Sequence, residues 1–293
     1  MNYIDLHVHS HASDGTLSPS EVVQSAYEKG LAAFALTDHD TVDGIPEALS
    51  AAKMLADSHP GSVIPEVIPG VELSALYLER EIHILGLFVD VNHPVIKKEL
   101  GRMREIRNER NEKILRHFAK AGIQITLDEL QEGNPATVIT RAHFARILLK
   151  KGYVSSAKEA FQKYLKPGGP YCPKKERISP ERAMSILTGS HAFPALAHPF
   201  QYQFTPSELE SLIKCLKELG MEGLEVYHSS NSPCESMHLK GLAQAYDLLP
   251  TGGSDFHGSN KPDIELGSGK GGLKLSPLLL EDIRRRRQAD SEG

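Results

Sequence analysis

The sequence lacks a cysteine framework and a long apolar run. Only three cysteines, Cys172, Cys215 and Cys234, occur in 293 residues. An odd number of isolated cysteines without CxxC spacing is typical of a reducing compartment rather than of a disulfide scaffold. No segment approaches the roughly 20 apolar residues of a membrane span, and Asp5 and His7 interrupt the apolar stretch where a signal peptide would lie. We therefore expect a cytoplasmic protein with no membrane partner.

The sequence also lacks an excess of basic residues. Its 33 Lys and Arg against 38 Asp and Glu give a net charge of −5. Proteins that bind long duplexes use basic surfaces to displace counterions, so we expect no duplex DNA partner. A local basic patch over a small anionic substrate stays open. The length allows one large domain, or one domain with a substantial insertion.

Short apolar runs alternate with amphipathic stretches over much of the chain. Helices are predicted at 20–29 and 45–58, the first between a capping Ser18 and Gly30. Strands are predicted at 3–8, 31–37, 67–73, 82–88, 195–197, 223–226 and 249–252. Such alternation predicts an α/β fold with a mostly parallel sheet or barrel.

The middle of the chain breaks the alternation. Segment 97–120 is charge-rich with one apolar helical face, and 141–150 and 157–164 are two further predicted helices. No comparable strand-like run lies between 92 and 191. We therefore predict a helical insertion, residues 97–189, that caps the substrate. The barrel itself is predicted to consist of residues 1–96 and 190–293.

Histidine and acidic residues stand at the ends of the predicted strands. The chain has 14 histidines, and His7 and His9 project from one face because alternate strand positions share a face. Parallel α/β folds build their sites at the carboxyl ends of strands. The other strand ends carry Asp38, His39, Asp40, Glu72, His83, His198, Asp255 and His257. This joint placement predicts a metal site.

The donor set indicates which chemistry such a site would perform. Imidazole and carboxylate without thiolate suit Mn²⁺, Zn²⁺ or Fe²⁺ more than a structural zinc, and the ligands are too many for one ion. Clustered metals bind two phosphoryl oxygens, generate hydroxide near neutral pH and stabilise a leaving oxygen. The prediction is phosphate ester hydrolysis, in which His39, Asp255 and His257 are candidates to help a proton reach the leaving oxygen.

These motifs resemble those of the polymerase and histidinol phosphatase (PHP) family. The matching segments, in the family's order, are DLHVHSHASDG at 5–15, LTDHD at 36–40, GVELS at 70–74, EIHILG at 81–86, LAHP at 196–199 and GGSDFHG at 252–258. The resemblance implies a distorted (β/α)₇ barrel with a helical insertion and two or three divalent metals, of which manganese is the leading candidate. The implied ligands are His7, His9, Glu72 and Asp255 for the first metal, Glu72, His83 and His198 for the second, and Asp14, His39 and His257 for the third.

The predicted helical insertion resembles that of one subgroup of the family. TRAHFARILL at 140–149 and FQKYLKPGGPYCP at 161–173 are similar to the insertion of nucleoside 3′,5′-bisphosphate phosphatases and of exonucleases that trim RNA 5′ ends. This resemblance implies that Arg110, Lys113, Arg141 and His143 contact the substrate. Arginine offers a planar fork that suits phosphate oxygens.

Four functions follow in order of preference. The leading one is removal of the 3′-phosphate from a nucleoside 3′,5′-bisphosphate, which converts pAp to AMP and phosphate. The alternatives are a 5′–3′ exonuclease on short 5′-phosphorylated RNA, a histidinol phosphatase, and a non-catalytic metal-binding module. The expected partner is a small phosphorylated nucleotide or short RNA, and the sequence predicts no oligomeric state.

Three features have no assigned role. The GSGKGG segment at 267–272 lacks phosphate-loop spacing and is predicted to be a plain loop. The basic run at 284–287 is predicted to be solvated. His228 follows a predicted strand, and a substrate contact and a pocket wall are equally consistent with its position.

Overall fold

A computed structural model describes residues 3–131, 133, 137–173 and 177–292. Its strands are β1 Ile4–Val8, β2 Ala33–Leu36, β3 Glu66–Tyr77, β4 Arg80–Leu87, β5 Phe193–Leu196, β6 Gly223–His228 and β7 Leu249–Gly253. Its helices are α1 Pro19–Glu28, α2 Ile45–Ser58, α3 Pro94–Lys120, α4 Leu127–Gln131, α5 Arg141–Lys150, α6 Ala157–Lys163, α7 Pro180–Thr188, α8 Pro206–Glu218, α9 Pro233–Ala245 and α10 Leu278–Glu292. The α/β alternation outside the middle of the chain is confirmed.

The seven strands form a nearly closed barrel. They lie in sequence order, and every neighbouring pair is parallel except those that involve β4. Only Leu78 and Glu79 separate β3 from β4, and both have positive φ, as a two-residue hairpin requires. After β7 the chain returns to β1, where the Asp255 N–H donates to the His7 carbonyl at 2.9 Å. The predicted barrel is confirmed, with β4 reversed because its connection is too short for a crossover.

Local sequence explains where several helices begin. Ser18 and Glu21 form a capping box at α1, and Pro19 occupies the first turn. Helix α7 is absent from the sequence prediction. Ser179 caps it, and its buried side chains, including Met184 and Leu187, pack into the apolar core outside β3 and β4.

The middle of the chain has an apolar cluster of its own. Ile114, Phe118, Phe144 and Leu165 belong to a cluster whose buried members all lie between 114 and 172. The start of α3 and all of α7 pack instead on the barrel core. The division at 97–189 stays a prediction, and the packing supports a shorter unit inside it. Residues 132, 134–136 and 174–176 of that segment lie outside the described residues.

The cysteines and the helix lengths bear on the expected compartment and on the expected absence of a membrane span. Cys172, Cys215 and Cys234 are all free thiols, consistent with the absence of a disulfide framework. Within the described ranges, no helix combines the length and the apolar character needed to cross a bilayer.

Candidate active site

The predicted ligands meet at one end of the barrel, around Glu72. This residue is only 1% exposed. Its carboxylate oxygens lie 3.4 Å from His7 Nε2, 3.2 Å from His9 Nε2, 2.9 Å from His39 Nδ1, 2.9 Å from His83 Nδ1 and 3.0 Å from His198 Nε2. One buried carboxylate therefore faces five imidazoles that come from four different segments of the chain.

Asp255 and Asp14 complete the cluster on the other side of His9. Asp255 Oδ1 lies 3.5 Å from His9 Nε2, 3.7 Å from His7 Nε2 and 3.3 Å from His257 Nδ1. Asp14 Oδ1 lies 3.3 Å from His257 Nε2 and 3.8 Å from His39 Nε2. Ligand atoms lie within 4.8 Å of one another in three groups, which are His9, Asp14, His39 and His257; His7, His9 and Glu72; and His39, Glu72 and His83. The structure thus brings all nine predicted ligands together.

Several buried imidazole nitrogens in this cluster lack hydrogen-bond partners, as expected for metal ligands. His7 Nε2, both ring nitrogens of His9, and Nδ1 of His39 and of His198 are buried, and none of them has a partner with hydrogen-bond geometry among the described residues, although Glu72 oxygens lie close to three of them. Buried polar atoms without partners are costly and rare. Divalent ions coordinated by these nitrogens and by the adjacent carboxylates would satisfy them. The residues therefore fit several divalent ions of the kind that nitrogen and oxygen ligands bind.

The electrostatics favour cation binding. Burial alone would raise the pKa of Glu72, but His39, His83 and His7 hold it well below its ordinary value. Burial lowers the pKa of His9 far below the usual range, and His257 adds to this effect. Glu72 is therefore ionised and His9 neutral near neutral pH, and these are the forms that coordinate a metal.

Glu225 supports the cluster from β6 and is missing from the sequence prediction. Its Oε1 lies 3.0 Å from His7 Nδ1, and its Oε2 accepts the main-chain N–H of His198 at 2.6 Å. This contact turns His7 Nε2 toward Glu72, as a carboxylate behind a ligating histidine commonly does. The sequence did offer a signal for Glu225, because a glutamate in the middle of an apolar strand is buried and a buried charge needs a partner.

Asp38 performs a similar role for the loop after β1. Its carboxylate accepts the main-chain N–H of Ser10 at 2.8 Å and the Ser13 hydroxyl at 2.6 Å. Burial raises the pKa of Asp38 to about 6, against the opposing effect of these hydrogen bonds. The loop that carries Asp14 is thereby fixed to the end of β2.

His228 and Lys261 lie at the edge of the cluster. His228 Nε2 is 3.4 Å from Asp255 Oδ2, and Lys261 Nζ is 2.5 Å from the same oxygen. Burial would raise the pKa of Asp255, but Lys261 and His257 hold it well below its ordinary value. His228 therefore touches the candidate ligand set, and its role as a substrate contact or a pocket wall stays a prediction. Lys261 is a second residue that sequence reasoning missed.

A small cavity of about 130 Å³ opens beside the cluster. The cavity is lined by the candidate ligands Asp14, His39 and His83. Its lining also includes four arginines, Arg107, Arg110, Arg141 and Arg177. A phosphorylated ligand in this cavity would meet both the candidate metal ligands and guanidinium groups.

Acidic residues hold three of the four arginines in place. Arg141 Nη2 lies 3.1 Å from Glu81, and Arg177 contacts the same carboxylate. Arg107 forms an ion pair with Asp40. Burial lowers the pKa of Arg110 only to about 10, so its guanidinium is still cationic at neutral pH.

Two of the four predicted substrate contacts line the cavity. Arg110 and Arg141 do so, whereas Lys113 is exposed on α3 and His143 is buried outside the lining. His143 Nδ1 accepts the main-chain N–H of Thr140 at 3.0 Å and so caps α5. Substrate contacts by Lys113 and His143 stay predictions that this geometry does not support.

Gly253 explains part of the GGSDFH motif. A Cβ added there would lie 2.2 Å from His7 Cβ and 2.5 Å from His7 N, so β7 approaches the ligand-bearing strand too closely for a side chain. Asp5 strengthens this closure, since its carboxylate accepts the Ser254 and Gly267 N–H groups, both at 2.8 Å. The first and last strands are therefore in direct contact at the site.

Gly253→Ala is expected to lower the free energy of unfolding by about 3 kcal/mol, because backbone atoms must move to accept the methyl group. Gly241→Ala is the matched control, since the site in α9 has open space around it and alanine favours a helix. Urea unfolding of both variants measures the difference. A loss at Gly253 no larger than that at Gly241 would contradict the close approach.

Comparison with known proteins identifies the class to which this fold and site belong. Residues 5–171 match the PHP domain, and the chain belongs to the PHP family. It is a hydrolase of phosphoester bonds, as the sequence motifs predicted.

Individual relatives share most of the chain. The 5′-3′ exoribonuclease Rnm of Escherichia coli (strain K12) is 36% identical over 263 residues, which cover 90% of this chain and 87% of that protein. The 3′,5′-nucleoside bisphosphate phosphatase of Chromobacterium violaceum is 35% identical over 270 residues, 91% of each chain. A solved structure described as an amidohydrolase from Chromobacterium violaceum with bound sulfate and no metal superposes with a TM-score of 0.82, at 33% identity, over 99% of this chain and 100% of that one.

Proposed function

We propose that this protein removes the 3′-phosphate of nucleoside 3′,5′-bisphosphates and releases a nucleoside 5′-monophosphate, as in pAp to AMP. The observation that carries the proposal is the cavity, whose lining combines candidate metal ligands with four arginines. A substrate with two phosphates can place one against the candidate metal ligands and the other against the arginines. The name of the Chromobacterium violaceum relative, 35% identical, supports this substrate.

The proposed metal ligands are the nine residues of the cluster, with two or three ions per chain. Manganese is the first choice and zinc or iron the alternatives, because the donors are nitrogen and oxygen without thiolate. Ions in such a site supply Lewis-acid activation of phosphoryl oxygens and of water.

The chain's own groups would orient the substrate and move the proton. Arg110 and Arg141 would hold the phosphate that is not cleaved, so that the 3′-phosphate lies against the cluster. His39 and His257, which are also candidates for the third metal, are the candidates to pass a proton to the leaving 3′ oxygen, with the help of Asp255. Of the two, only His39 is among the residues that line the cavity, whereas His257 Nδ1 lies 2.9 Å from the Asp255 carbonyl and 3.3 Å from Asp255 Oδ1.

Phosphate release from pAp in the presence of Mn²⁺ tests the proposal. We expect AMP and phosphate as products, no phosphate from AMP itself, and complete loss of activity after dialysis against EDTA, with recovery on adding Mn²⁺. Histidinol phosphate belongs in the same panel as a competing substrate. Turnover that persists after EDTA treatment, or faster release from histidinol phosphate than from pAp, would overturn the proposal.

Arg110→Ala is expected to lower kcat/KM for pAp by roughly 10–100-fold, because a charge-assisted hydrogen bond contributes about 1.5–3 kcal/mol. Arg116→Ala is the matched control on the same helix, since Arg116 is exposed and pairs with Glu112 on the surface. Steady-state kinetics of both variants measures the effect. Equal losses in the two variants would argue against a phosphate contact by Arg110.

A second candidate is 5′–3′ exonuclease action on short 5′-phosphorylated RNA. Relatives from Escherichia coli and from Haemophilus influenzae, 36% and 37% identical, are named 5′-3′ exoribonucleases. The same centre would cleave the phosphodiester, with the terminal 5′-phosphate held by the arginines. Parallel assays of pAp and of 5′-phosphorylated oligonucleotides separate the two activities.

The absence of duplex DNA binding and the cytoplasmic location stay predictions.

A further inference from the structure

Among the described residues, the lining of a groove on the β6 side of the barrel includes three lysines and no acidic residue. Its volume is about 730 Å³, and its lining comes from the end of β6, from α9 and from segment 270–275. Lys240, Lys270 and Lys274 line it without any aspartate or glutamate. In a chain with a net charge of −5, this is a local concentration of positive charge that favours an anionic ligand.

The three lysines are available to a ligand. All three are exposed, and within the described ranges none of them forms a salt bridge. Lys274 Nζ lies 5.8 Å from the centre of the Tyr3 ring. Their charge is therefore not neutralised inside the protein, unlike that of the arginines beside Glu81 and Asp40.

The loop that carries Lys270 is anchored. The N–H of Gly269 and the N–H of Glu265 each donate to the other's carbonyl at 2.8 Å, and Gly267 is tied to Asp5. A Cβ at Gly269 would meet Ser229 Oγ at 2.4 Å, so the loop packs directly against the residue after His228. The predicted loop is thus held in place as one wall of the groove.

The groove meets the candidate active site at His228. This residue lines the groove, and its Nε2 lies 3.4 Å from Asp255. Its ring centre is 5.6 Å from that of the proposed ligand His198. The arginine cavity lies over β3 and β4, so the cavity and the groove approach the cluster from different sectors of the barrel.

We propose that this groove binds the part of a single-stranded RNA that continues beyond the scissile phosphodiester. Lysines would contact successive phosphates, and the side chains of Tyr227 and Met237 offer surfaces for unstacked bases. The inference rests on the proposed cleavage of RNA and assigns the groove a role that a mononucleotide does not need. It predicts that the groove affects substrates longer than one nucleotide and leaves pAp hydrolysis unchanged.

The test is a variant with Lys240→Ala, Lys270→Ala and Lys274→Ala together. For 5′-phosphorylated pentaadenylate we expect kcat/KM to fall roughly tenfold or more, while kcat/KM for pAp changes less than about twofold. The slope of log K for RNA binding against log salt concentration should become less steep by about 2, because each phosphate contact on a single strand contributes roughly 0.7 to it. Binding is measured by fluorescence anisotropy with EDTA present.

The control replaces Lys53, Lys98 and Lys214 by alanine, which makes the same charge change at exposed positions elsewhere. Equal effects of the two triple variants, equal losses on pAp and RNA, or an unchanged salt slope would overturn the groove as an RNA surface. If the unmodified protein hydrolysed neither substrate, the proposed function would fail, and the anisotropy measurement would still decide whether the groove binds RNA. Circular dichroism verifies that both variants are folded.

Discussion

Glu72→Gln is expected to abolish metal loading and phosphoester hydrolysis together. The Glu72 carboxylate faces five imidazoles within 3.4 Å, so removing its charge takes away the ligand that the proposed ions share. Loss of about 4 kcal/mol of transition-state stabilisation corresponds to roughly a 10³-fold fall in kcat/KM. Metal content after dialysis, measured by mass spectrometry, and phosphate release from pAp report the two effects.

Glu105→Gln is the matched control for this variant. Glu105 is exposed on α3, so the same chemical change there should leave metal content and kcat/KM unchanged. The Glu72 variant should also keep its circular dichroism spectrum, since the amide is nearly isosteric with the carboxylate. A folded Glu72→Gln protein that retained its metal and its turnover would exclude Glu72 as the central ligand.

Glu225→Gln is expected to weaken metal affinity by about 10–100-fold without removing a ligand. Glu225 reaches the cluster through His7 Nδ1 and the His198 N–H, so its charge sets the orientation and basicity of His7. Activity titrated against Mn²⁺ should therefore shift to higher metal concentration, and kcat should recover largely when the metal is saturating.

The shape of this titration separates positioning from direct catalysis. Glu218→Gln, an exposed change on α8, should titrate like the unmodified protein. If kcat of the Glu225 variant stayed low at saturating Mn²⁺, Glu225 would act on the reacting groups themselves. If its Mn²⁺ dependence matched that of the unmodified protein, the contact with His7 would have no effect on metal binding.

The clustering of the candidate ligands was predictable because most of them follow the strands in sequence. His7 and Asp255 stand at or next to the carboxyl end of a strand, and carboxyl ends of barrel strands converge whatever the details of the loops. Glu72 lies instead in the middle of β3, which continues to Tyr77. Asp14 is different, since it follows β1 in a loop, and only the family motif indicated it. Its position depends on Asp38, whose hydrogen bonds to Ser10 and Ser13 are a tertiary feature.

Only two of the four arginines that line the cavity, Arg110 and Arg141, were predicted from the sequence. Helix α3 carries charges on most of its surface, so its sequence does not say which arginines face the barrel. Arg107 turns inward because Asp40 neutralises it, and Arg177 because Glu81 does. Lys113 is exposed one turn beyond Arg110. Which of these cationic side chains faces the cavity depends on acidic partners that are distant in the sequence, and no local pattern of residues encodes those partners.

The contact between Gly253 and His7 has a consequence for how the protein matures. Asp255 and His257 follow His7 by some 250 positions, so the candidate ligand set is incomplete until the chain has been synthesised through His257. Closing so long a loop costs conformational entropy, and ions that bind only the closed barrel would offset part of that cost by mass action. Metal supply during translation would then govern the yield of folded enzyme as well as its activity.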